Sequence, residues 1–152
     1  MIKFLTDAQL HAEFDRCEYC EEKPCQQGCP VHCSPMDFIK AARLSNSSDF
    51  KRSTAEIMSQ NPLGGVCGAV CPDTFCMRLC VHKNFDRALN IPDLQATIVQ
   101  KAKDLGVMPE FNNATLNGKK IAIIGAGPAG LAASAVLAQQ GYLVEIFEKE
   151  KQ

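Results

Sequence analysis

The 152-residue sequence lacks an excess of charge of either sign, because 16 Lys and Arg residues nearly balance 17 Asp and Glu residues. With a net charge of -1 there is no overall basic field to attract nucleic acid or an anionic membrane, and we expect neither partner. Solenoid repeats and low-complexity tracts are also missing from the sequence. The length allows one ordinary domain or two small ones, which excludes a self-contained large enzyme.

A secretory signal is also missing, since charged residues interrupt positions 1–15 and leave no apolar h-region. The chain nevertheless contains nine cysteines, all between Cys17 and Cys80. Dense cysteine without a secretory signal indicates a reducing compartment, and we expect the protein to be cytoplasmic. The cysteines therefore indicate metal or redox chemistry, and their odd number argues against a disulfide scaffold.

The composition changes abruptly near Gly106, where the cysteine-containing part gives way to a segment rich in Asn and Gly. Such a composition is typical of a linker. We therefore predict a helical domain over 1–106, a linker over 107–118, and a second domain that begins at 119 and continues to 152.

Start and stop signals predict four helices in the first domain. The first follows a capping box formed by Thr6 and Gln9, and the second follows Ser34. The third opens at Ser48 or Asp49, and the fourth precedes the glycine at position 106. We expect the cysteine runs to lie in loops between these helices, with little apolar core, so that a metal would have to staple the domain.

Eight of the nine cysteines form two compact runs, Cys17-x2-Cys20-x4-Cys25-x3-Cys29-Pro30 and Cys67-x3-Cys71-Pro72-x3-Cys76-x3-Cys80. Four convergent thiolates can hold one zinc ion or one four-iron cluster. Structural zinc usually takes two widely separated pairs, whereas these runs are compact and each contains a Cys-Pro step, as in bacterial ferredoxins. The spacing therefore favours iron-sulfur clusters, with a zinc-stapled helical interaction module as the alternative.

The ninth cysteine and two histidines lie close to these runs in the sequence. Cys33 is predicted to pack as a small hydrophobic residue. His32 and His82 could in principle join a Cys3His zinc site, but the thiolates already supply enough ligands. We therefore predict that neither histidine is a ligand.

A dinucleotide-binding fingerprint begins the second domain. A predicted strand at Lys120–Ile124 leads into a glycine turn and a helix, and a second strand at Leu143–Phe147 ends at an acidic residue. In this pattern the turn approaches a pyrophosphate and the acidic residue accepts hydrogen bonds from a ribose. The same β-α-β unit explains the uncharged stretch Ile121–Val144 without a membrane span. The predicted cofactor-binding residues are Gly125, Ala126, Gly127, Pro128, Ala129, Gly130 and Glu148.

The order of two cysteine runs, a helical connection and GAGPAG resembles the N-terminal part of dihydropyrimidine dehydrogenase and the small subunit of glutamate synthase. The resemblance extends from about Arg16 to Lys149. It implies a mainly α fold, in which a helical domain with two [4Fe-4S] clusters precedes the first β-α-β unit of a Rossmann-like FAD-binding domain. It also implies that electrons pass from NAD(P)H, bound outside this chain, through FAD and the clusters to a partner domain or subunit that carries FMN. The resemblance is compatible with either a homo-oligomer or a hetero-oligomer.

The resemblance assigns the ligands residue by residue. One cluster receives Cys17, Cys20, Cys25 and Cys80, and the other receives Cys29, Cys71, Cys76 and, unusually, Gln95. Counting cysteines alone would have chosen Cys67 as the eighth ligand, whereas the resemblance makes Cys67 a non-ligand. We adopt the assignment that the resemblance implies.

Two features favour the pyrimidine enzyme over glutamate synthase. The segment Asn61-Pro62-Leu63-Gly64 resembles the former, and the glutamate synthase subunit tends to have Glu where this chain has Gln95. The spacing from Cys71 to Cys76 is one residue shorter than is usual in the family. No acid, base or nucleophile here has the spacing of a catalytic constellation, so we expect an electron-transfer part of a longer oxidoreductase that is not catalytic alone.

One β-α-β unit supplies only part of a nucleotide-binding sheet, since a parallel sheet needs further strands to bury both faces. We therefore expect this chain by itself to bind FAD weakly or not at all. Titration of the purified chain with FAD should show no saturation at one FAD per chain. Tight stoichiometric binding would contradict this expectation.

Overall fold

The computed structural model describes residues 4–150, so the ends of the predicted domains, at 1–3 and 151–152, lie outside the described residues. The chain divides into two compact units, Met1–Pro109 and Glu110–Gln152. The predicted linker over 107–118 spans this division and, where the structure describes it, contains neither helix nor strand.

Every regular element that the structure describes in the first unit is a helix, and the second unit contains two strands joined by a helix. The mainly α fold class with a Rossmann-like second part is therefore confirmed. The helices of the first unit are α1 (Asp7–Asp15), α2 (Pro24–Gln27), α3 (Pro35–Ala42), α4 (Ser47–Gln60), α5 (Gly64–Val70) and α6 (Ile91–Asp104), with two 3-10 turns at Met77–Leu79 and Val81–Asn84. The second unit consists of β1 (Lys120–Ile124), α7 (Pro128–Gln139) and β2 (Leu143–Phe147).

Side-chain caps begin α1, α3 and α4, whereas α6 begins without one. The predicted capping box of α1 is confirmed: the Thr6 side chain accepts from the Gln9 N–H at 3.3 Å, and the Gln9 side chain accepts from the Thr6 N–H at 2.9 Å. The predicted start of α4 at Ser48 or Asp49 is wrong. Asn46 is the cap, because its side-chain oxygen accepts from the Asp49 N–H at 3.0 Å, so the helix begins earlier in the chain.

The sequence signals missed α2 and α5. Cys25 lies in α2 and Cys67 lies in α5, so the prediction that the cysteine runs lie wholly in loops is wrong. These two helices were missed because α2 is only four residues long and α5 is rich in glycine, which is a poor helix former. Packing against α6 rather than local propensity therefore accounts for α5.

A sizeable apolar core lies at the centre of the first unit, so the predicted shortage of core is wrong. Its largest members are at most 1% exposed, and burial of each stabilises the fold by about 1.5–3 kcal/mol. They are Leu10, Phe14, Phe38, Ile39, Ile57, Leu94 and Ile98. Helices α1, α3 and α6 contribute two each and α4 contributes one, so no single segment of the sequence indicated a core. Cys33, 3% exposed, packs into this core as the sequence analysis predicted.

Close approach of α5 to α6 depends on glycines in α5. A Cβ atom on Gly68 would lie 2.7 Å from the backbone nitrogen of Ala96 and 3.1 Å from the carbonyl oxygen of Pro92. A Cβ atom on Gly65 would lie 2.9 Å from a side-chain methyl of Val99. These distances are shorter than ordinary contacts, so α5 can occupy this position only with glycine at its interface.

The second unit has the predicted β-α-β arrangement. Strands β1 and β2 are parallel and in register from Lys120 opposite Leu143 to Ile124 opposite Phe147. Helix α7 begins at Pro128, inside the glycine fingerprint, which is earlier than the apolar run alone had indicated. Within residues 4–150, no helix is long and apolar enough to cross a membrane.

Substitution of Gly68 by Ala should destabilise the first unit. The added methyl meets backbone atoms of α6, which cannot rotate away, and overpacking of this kind typically costs about 1–3 kcal/mol. This penalty should outweigh the gain of about 1 kcal/mol in helix propensity. Urea unfolding of the variant should show a lower midpoint than the parent chain.

Val66→Ala is the matched control, since Val66 lies in the same helix with 62% of its surface exposed. We expect its free energy of unfolding to stay within about 0.5 kcal/mol of the parent value. Equal midpoints for the Gly68→Ala variant and this control would contradict the proposed packing limit.

Candidate metal centres and dinucleotide turn

Four cysteines from both runs line one apolar cavity in the first unit. They are Cys17, Cys20, Cys25 and Cys80, the set that the resemblance assigned to one cluster. Met36 and Ile39 from α3 and Leu89 from the segment before α6 form part of its apolar wall. The space measures about 380 Å³, including its opening to solvent. Cys80 belongs to the second run, so folding alone brings it to the other three.

Local backbone geometry positions the first three of these cysteines. Cys17 follows the end of α1, and its N–H donates to the carbonyl oxygen of Phe14 at 3.1 Å. Tyr19, with φ at 48°, and Lys23, with φ at 46°, adopt the left-handed conformation and turn the chain sharply between the cysteines. Lys23 also forms an ion pair of 2.7 Å with Asp37, which attaches the start of α2 to α3.

Burial affects the ionisation of two members of this first cysteine set. It raises the pKa of the Cys17 thiol to about 11, and it also raises the pKa of Cys25. Thiolates therefore form here only if positive charge lies among them, because an apolar surrounding favours the protonated thiol. The iron ions of an iron-sulfur cluster supply that charge, and soft thiolates are their usual ligands. The donor set and its apolar surrounding fit a four-iron cluster.

A second group of cysteines lies close together near α5. The pKa of the Cys76 thiol is raised to about 12. Burial is the largest cause, and the neighbouring Cys71 and Cys29 raise the pKa further. Burial, followed by Cys29 and Cys67, likewise raises the pKa of Cys71. The Cys29 thiol thus contributes to the raised pKa of both Cys71 and Cys76, and the ligands of one cluster should lie this close together. These are the three cysteines that the resemblance assigned to the second cluster.

The fourth position of the second set has two candidates, and the structure places both at α5. The Gln95 side chain extends from α6, and its Nε2 donates to the carbonyl oxygen of Gly64 at 2.6 Å. This bond fixes the amide and leaves its Oε1 atom for a ligand bond. Cys67 lies in the same helix as Gly64 and affects the pKa of Cys71. The assignment of Gln95 rather than Cys67 therefore stays a prediction.

His82 lies at the wall of the first cavity with both ring nitrogens engaged. Its Nδ1 lies 3.0 Å from Asp86 Oδ1, and its Nε2 lies 3.1 Å from Glu18 Oε1. The expectation that His82 is not a ligand stays a prediction. Within residues 4–150, no group of three or more His, Cys, Asp or Glu side chains is arranged to hold a single metal ion.

The glycine turn after β1 brings Glu148 next to the predicted dinucleotide site. Gly125 has φ at 99°, which permits the sharp turn, and space around Gly127 is open within 4 Å of where a Cβ atom would lie. The Glu148 carboxylate accepts from the Ala126 N–H at 2.8 Å. Hydrogen bonds from the N–H groups of Glu150 and Ala126 lower the pKa of Glu148 and keep it charged.

The remaining predicted residues of the turn occupy the first turn of α7. A Cβ atom on Gly130 would lie 2.1 Å from the carbonyl oxygen of Gly125, so glycine is needed there for the helix to approach the strand. Pro128 and Ala129 begin α7 directly after Gly127, its N-cap residue. The N–H groups at this helix start can therefore bind an anionic group such as a pyrophosphate.

Sequence reasoning missed the walls of the first cavity. Glu18, His82 and Met36 line it, and they come from three separated parts of the chain. No local motif marks them, because their common feature is spatial. Only the spacing of the neighbouring cysteines gave a signal for this region.

Comparison with known proteins identifies both units. Residues 1–107 match the family described as "Dihydropyrimidine dehydrogenase domain II, 4Fe-4S cluster". The chain belongs to this family. Residues 123–152 match the family described as "NAD(P)-binding Rossmann-like domain". The resemblance inferred from the residues is confirmed, and the chain combines a 4Fe-4S cluster domain with part of a dinucleotide-binding domain.

Individual relatives include subunits of two oxidoreductases. The NAD-dependent dihydropyrimidine dehydrogenase subunit PreT of Escherichia coli K12 is 40% identical over 139 residues, which are 91% of this chain and 33% of that protein. The glutamate synthase [NADPH] small chain of the same organism is 34% identical over 148 residues, which are 95% of this chain and 30% of that protein. The putative oxidoreductase UacF, also from that strain, is 34% identical over 148 residues, 22% of its length. The chain thus spans about a third or less of these relatives.

Matched substitutions should decide the eighth ligand. We expect Gln95→Ala to lose or alter the second cluster, because the amide oxygen is removed, and Cys67→Ser to retain both clusters. Gln95→Glu should restore the cluster, since a carboxylate oxygen can replace the amide oxygen as a ligand. Iron and labile sulfide per chain, together with electron paramagnetic resonance spectra after dithionite reduction, measure the result.

The reverse pattern would reassign the ligand. Unchanged spectra for Gln95→Ala, together with loss of about four iron ions in Cys67→Ser, would make Cys67 the eighth ligand.

Proposed function

We propose that the chain is the electron-transfer part of an NAD(P)H-dependent flavoprotein oxidoreductase, which carries electrons from FAD through two [4Fe-4S] clusters to a partner domain or subunit. The observation that carries this proposal is the convergence of Cys17, Cys20 and Cys25 with the distant Cys80 around one apolar cavity. Family membership over residues 1–107 supports a 4Fe-4S cluster in this unit.

The protein supplies ligands and a dry surrounding for these clusters. Cys17, Cys20, Cys25 and Cys80 would hold the first, and Cys29, Cys71, Cys76 and Gln95 would hold the second. When bound, such clusters supply one-electron transfer at potentials that depend on charge, hydrogen bonds and exposure. The apolar wall of the first cavity excludes water from the thiolates. Burial raises the pKa of Cys33, and the neighbouring Cys29, Cys76 and Cys25, which come from both sets, raise it further; this supports a short distance between the two proposed clusters.

The glycine turn and Glu148 would hold the FAD of the whole protein. The start of α7 would bind the pyrophosphate, and the charged Glu148 carboxylate would accept hydrogen bonds from the ribose hydroxyls. FAD rather than NAD(P)H is proposed for this turn because the family resemblance places the flavin domain directly after the cluster domain. NAD(P)H would bind outside this chain.

Pyrimidine reduction is the proposed chemistry of the whole protein. The dihydropyrimidine dehydrogenase subunit shares 40% identity and the glutamate synthase small chain 34%, and Gln95 with the Asn61–Gly64 segment favours the former. The acceptor would be a domain or subunit that carries FMN. A glutamate synthase type of oxidoreductase is the alternative. The cytoplasm is the proposed location, because its reducing conditions preserve nine unpaired cysteines.

Metal and sulfide analysis of anaerobically purified protein tests this proposal. We expect about eight iron ions and eight labile sulfides per chain, with no zinc, and a broad visible absorption band that dithionite bleaches. The reason is that two thiol-rich sites each fit a four-iron cluster. About two zinc ions without labile sulfide, even after anaerobic reconstitution, would instead support a zinc-stapled interaction module.

Cysteine variants provide the control for that analysis. Cys25→Ser should lose about four iron ions, because it removes a ligand of the first cluster alone. Cys33→Ala should retain all of them, because Cys33 is buried in the core and is not assigned as a ligand. Equal iron in both variants would contradict the ligand assignment.

A further inference from the structure

A connected group of charged side chains links α1 with the segment after Cys80. We call it the Glu13 network, and its members are Glu13, Arg16, Glu18, His82, Asp86 and Arg87. The family resemblance gave these residues no role, and no sequence motif joins them. Their placement around the first cysteine set suggests one.

Glu13 is the buried centre of the network. Glu13 is only 5% exposed, and its two carboxylate oxygens accept hydrogen bonds from Arg16 Nη1 at 3.0 and 3.1 Å. Arg87 also donates to it, and the Asn90 N–H donates at 2.9 Å. These donors outweigh the effect of burial and lower the pKa of Glu13, so the buried group is a charged carboxylate.

Arg16 connects this buried centre to the segment after Cys80. Its Nη2 donates to both carboxylate oxygens of Asp86 at 3.0 Å. Asp86 in turn lies 3.0 Å from His82 Nδ1. A guanidinium that bridges two carboxylates has little freedom, so the 82–90 segment is held in one position against the end of α1.

The other end of the network reaches the first cysteine cavity. His82 Nε2 lies 3.1 Å from Glu18 Oε1, and both residues line the cavity. Cys17 lies in the sequence between Arg16 and Glu18, and Cys80 precedes His82 by two positions. The network therefore spans the gap between the first cysteine run and the one ligand that comes from the second run.

A buried ion pair of this kind adds little net stability, because desolvation opposes the Coulomb attraction. Its effect is geometric, since the charged groups are satisfied in one arrangement only. The directional hydrogen bonds of Arg16 to Glu13 and Asp86 therefore restrict the position of the segment that follows Cys80.

We propose that the Glu13 network is a positioning device for the first cluster, which holds Cys80 opposite Cys17, Cys20 and Cys25 and sets the charge around the cluster. This inference rests on the proposed function, because it requires a cluster at that site. Glu13 and Arg16 are positioning residues here, since they act through the cysteines.

The proposal has an electrostatic consequence that a purely structural role lacks. Reduction adds negative charge to a cluster, so nearby negative charge lowers its potential. Glu13→Gln keeps the shape of the side chain and removes one negative charge from the network that reaches the first cavity through His82 and Glu18. The potential of that cluster should shift to a less negative value, while the second cluster, at Cys29, Cys71 and Cys76, should keep its potential.

The experiment compares three variants of this chain after anaerobic reconstitution. Glu13→Gln removes the buried charge, and Asp86→Asn removes a partner that is 53% exposed in its side chain and so threatens folding less. Asp49→Asn is the matched control, because Asp49 is a buried carboxylate, 4% exposed, paired with Arg52 at 3.1 Å on α4. Its partner Arg52 also donates to the carbonyl oxygen of Ala41, so this pair joins α4 to α3 and has no member in the Glu13 network.

Redox titration followed by electron paramagnetic resonance, and the rate of iron release to a chelator, are the measurements. We expect both network variants to shift the potential of the first cluster and to release about four of eight iron ions faster than the parent chain. The control should leave both potentials and the release rate unchanged. If the Glu13→Gln variant does not fold, the comparison of Asp86→Asn with the control tests the proposal.

Two different failures are distinguishable. A parent chain with both clusters, whose network variants match the control in potential and iron release, would overturn this inference alone. A parent chain without labile sulfide after reconstitution would overturn the proposed function and this inference with it.

Discussion

Removal of thiols from water is the physical constraint on which the first unit depends. Four cysteines face an apolar cavity, and burial raises the pKa of Cys17 to about 11, so the site favours thiolates only around a positively charged group. A four-iron cluster meets that requirement, and a partly closed apolar wall then limits exposure of the cluster to water. The side chains of Met36 and Ile39 from α3 have this role.

The second site follows from backbone packing. Glycines at 65 and 68 allow α5 to approach α6 closely, and the Gln95 amide of α6 donates to the carbonyl oxygen of Gly64. Both candidates for the eighth ligand therefore lie at one helix interface. The first unit also has an apolar core of its own, built around Phe14, Phe38 and Leu94. The two cysteine sets thus lie on a packed scaffold, and metal need not be its sole source of stability.

The segment around Cys80 contains both a proposed cluster ligand and the residues that attach this segment to α1. Cys80 completes the first cysteine set, and the residues that follow it join α1 through Arg16 and Glu13. A polar network near such a site can fix geometry and adjust local charge together. In the second unit, Glu148 has a comparable position, because hydrogen bonds from the N–H groups of Glu150 and Ala126 orient its carboxylate and lower its pKa.

Local signals in the sequence determined the elements whose cause is local: the α1 capping box at Thr6, both strands, and the glycine turn at Gly125. Cysteine spacing likewise indicated the metal chemistry. Tertiary structure alone decided the existence of α5, the apolar core, and the Glu13 network beside Cys80. The physical reason is that these features consist of contacts between residues far apart in the chain, such as Glu13 with Asn90, and no periodicity or cap encodes such contacts.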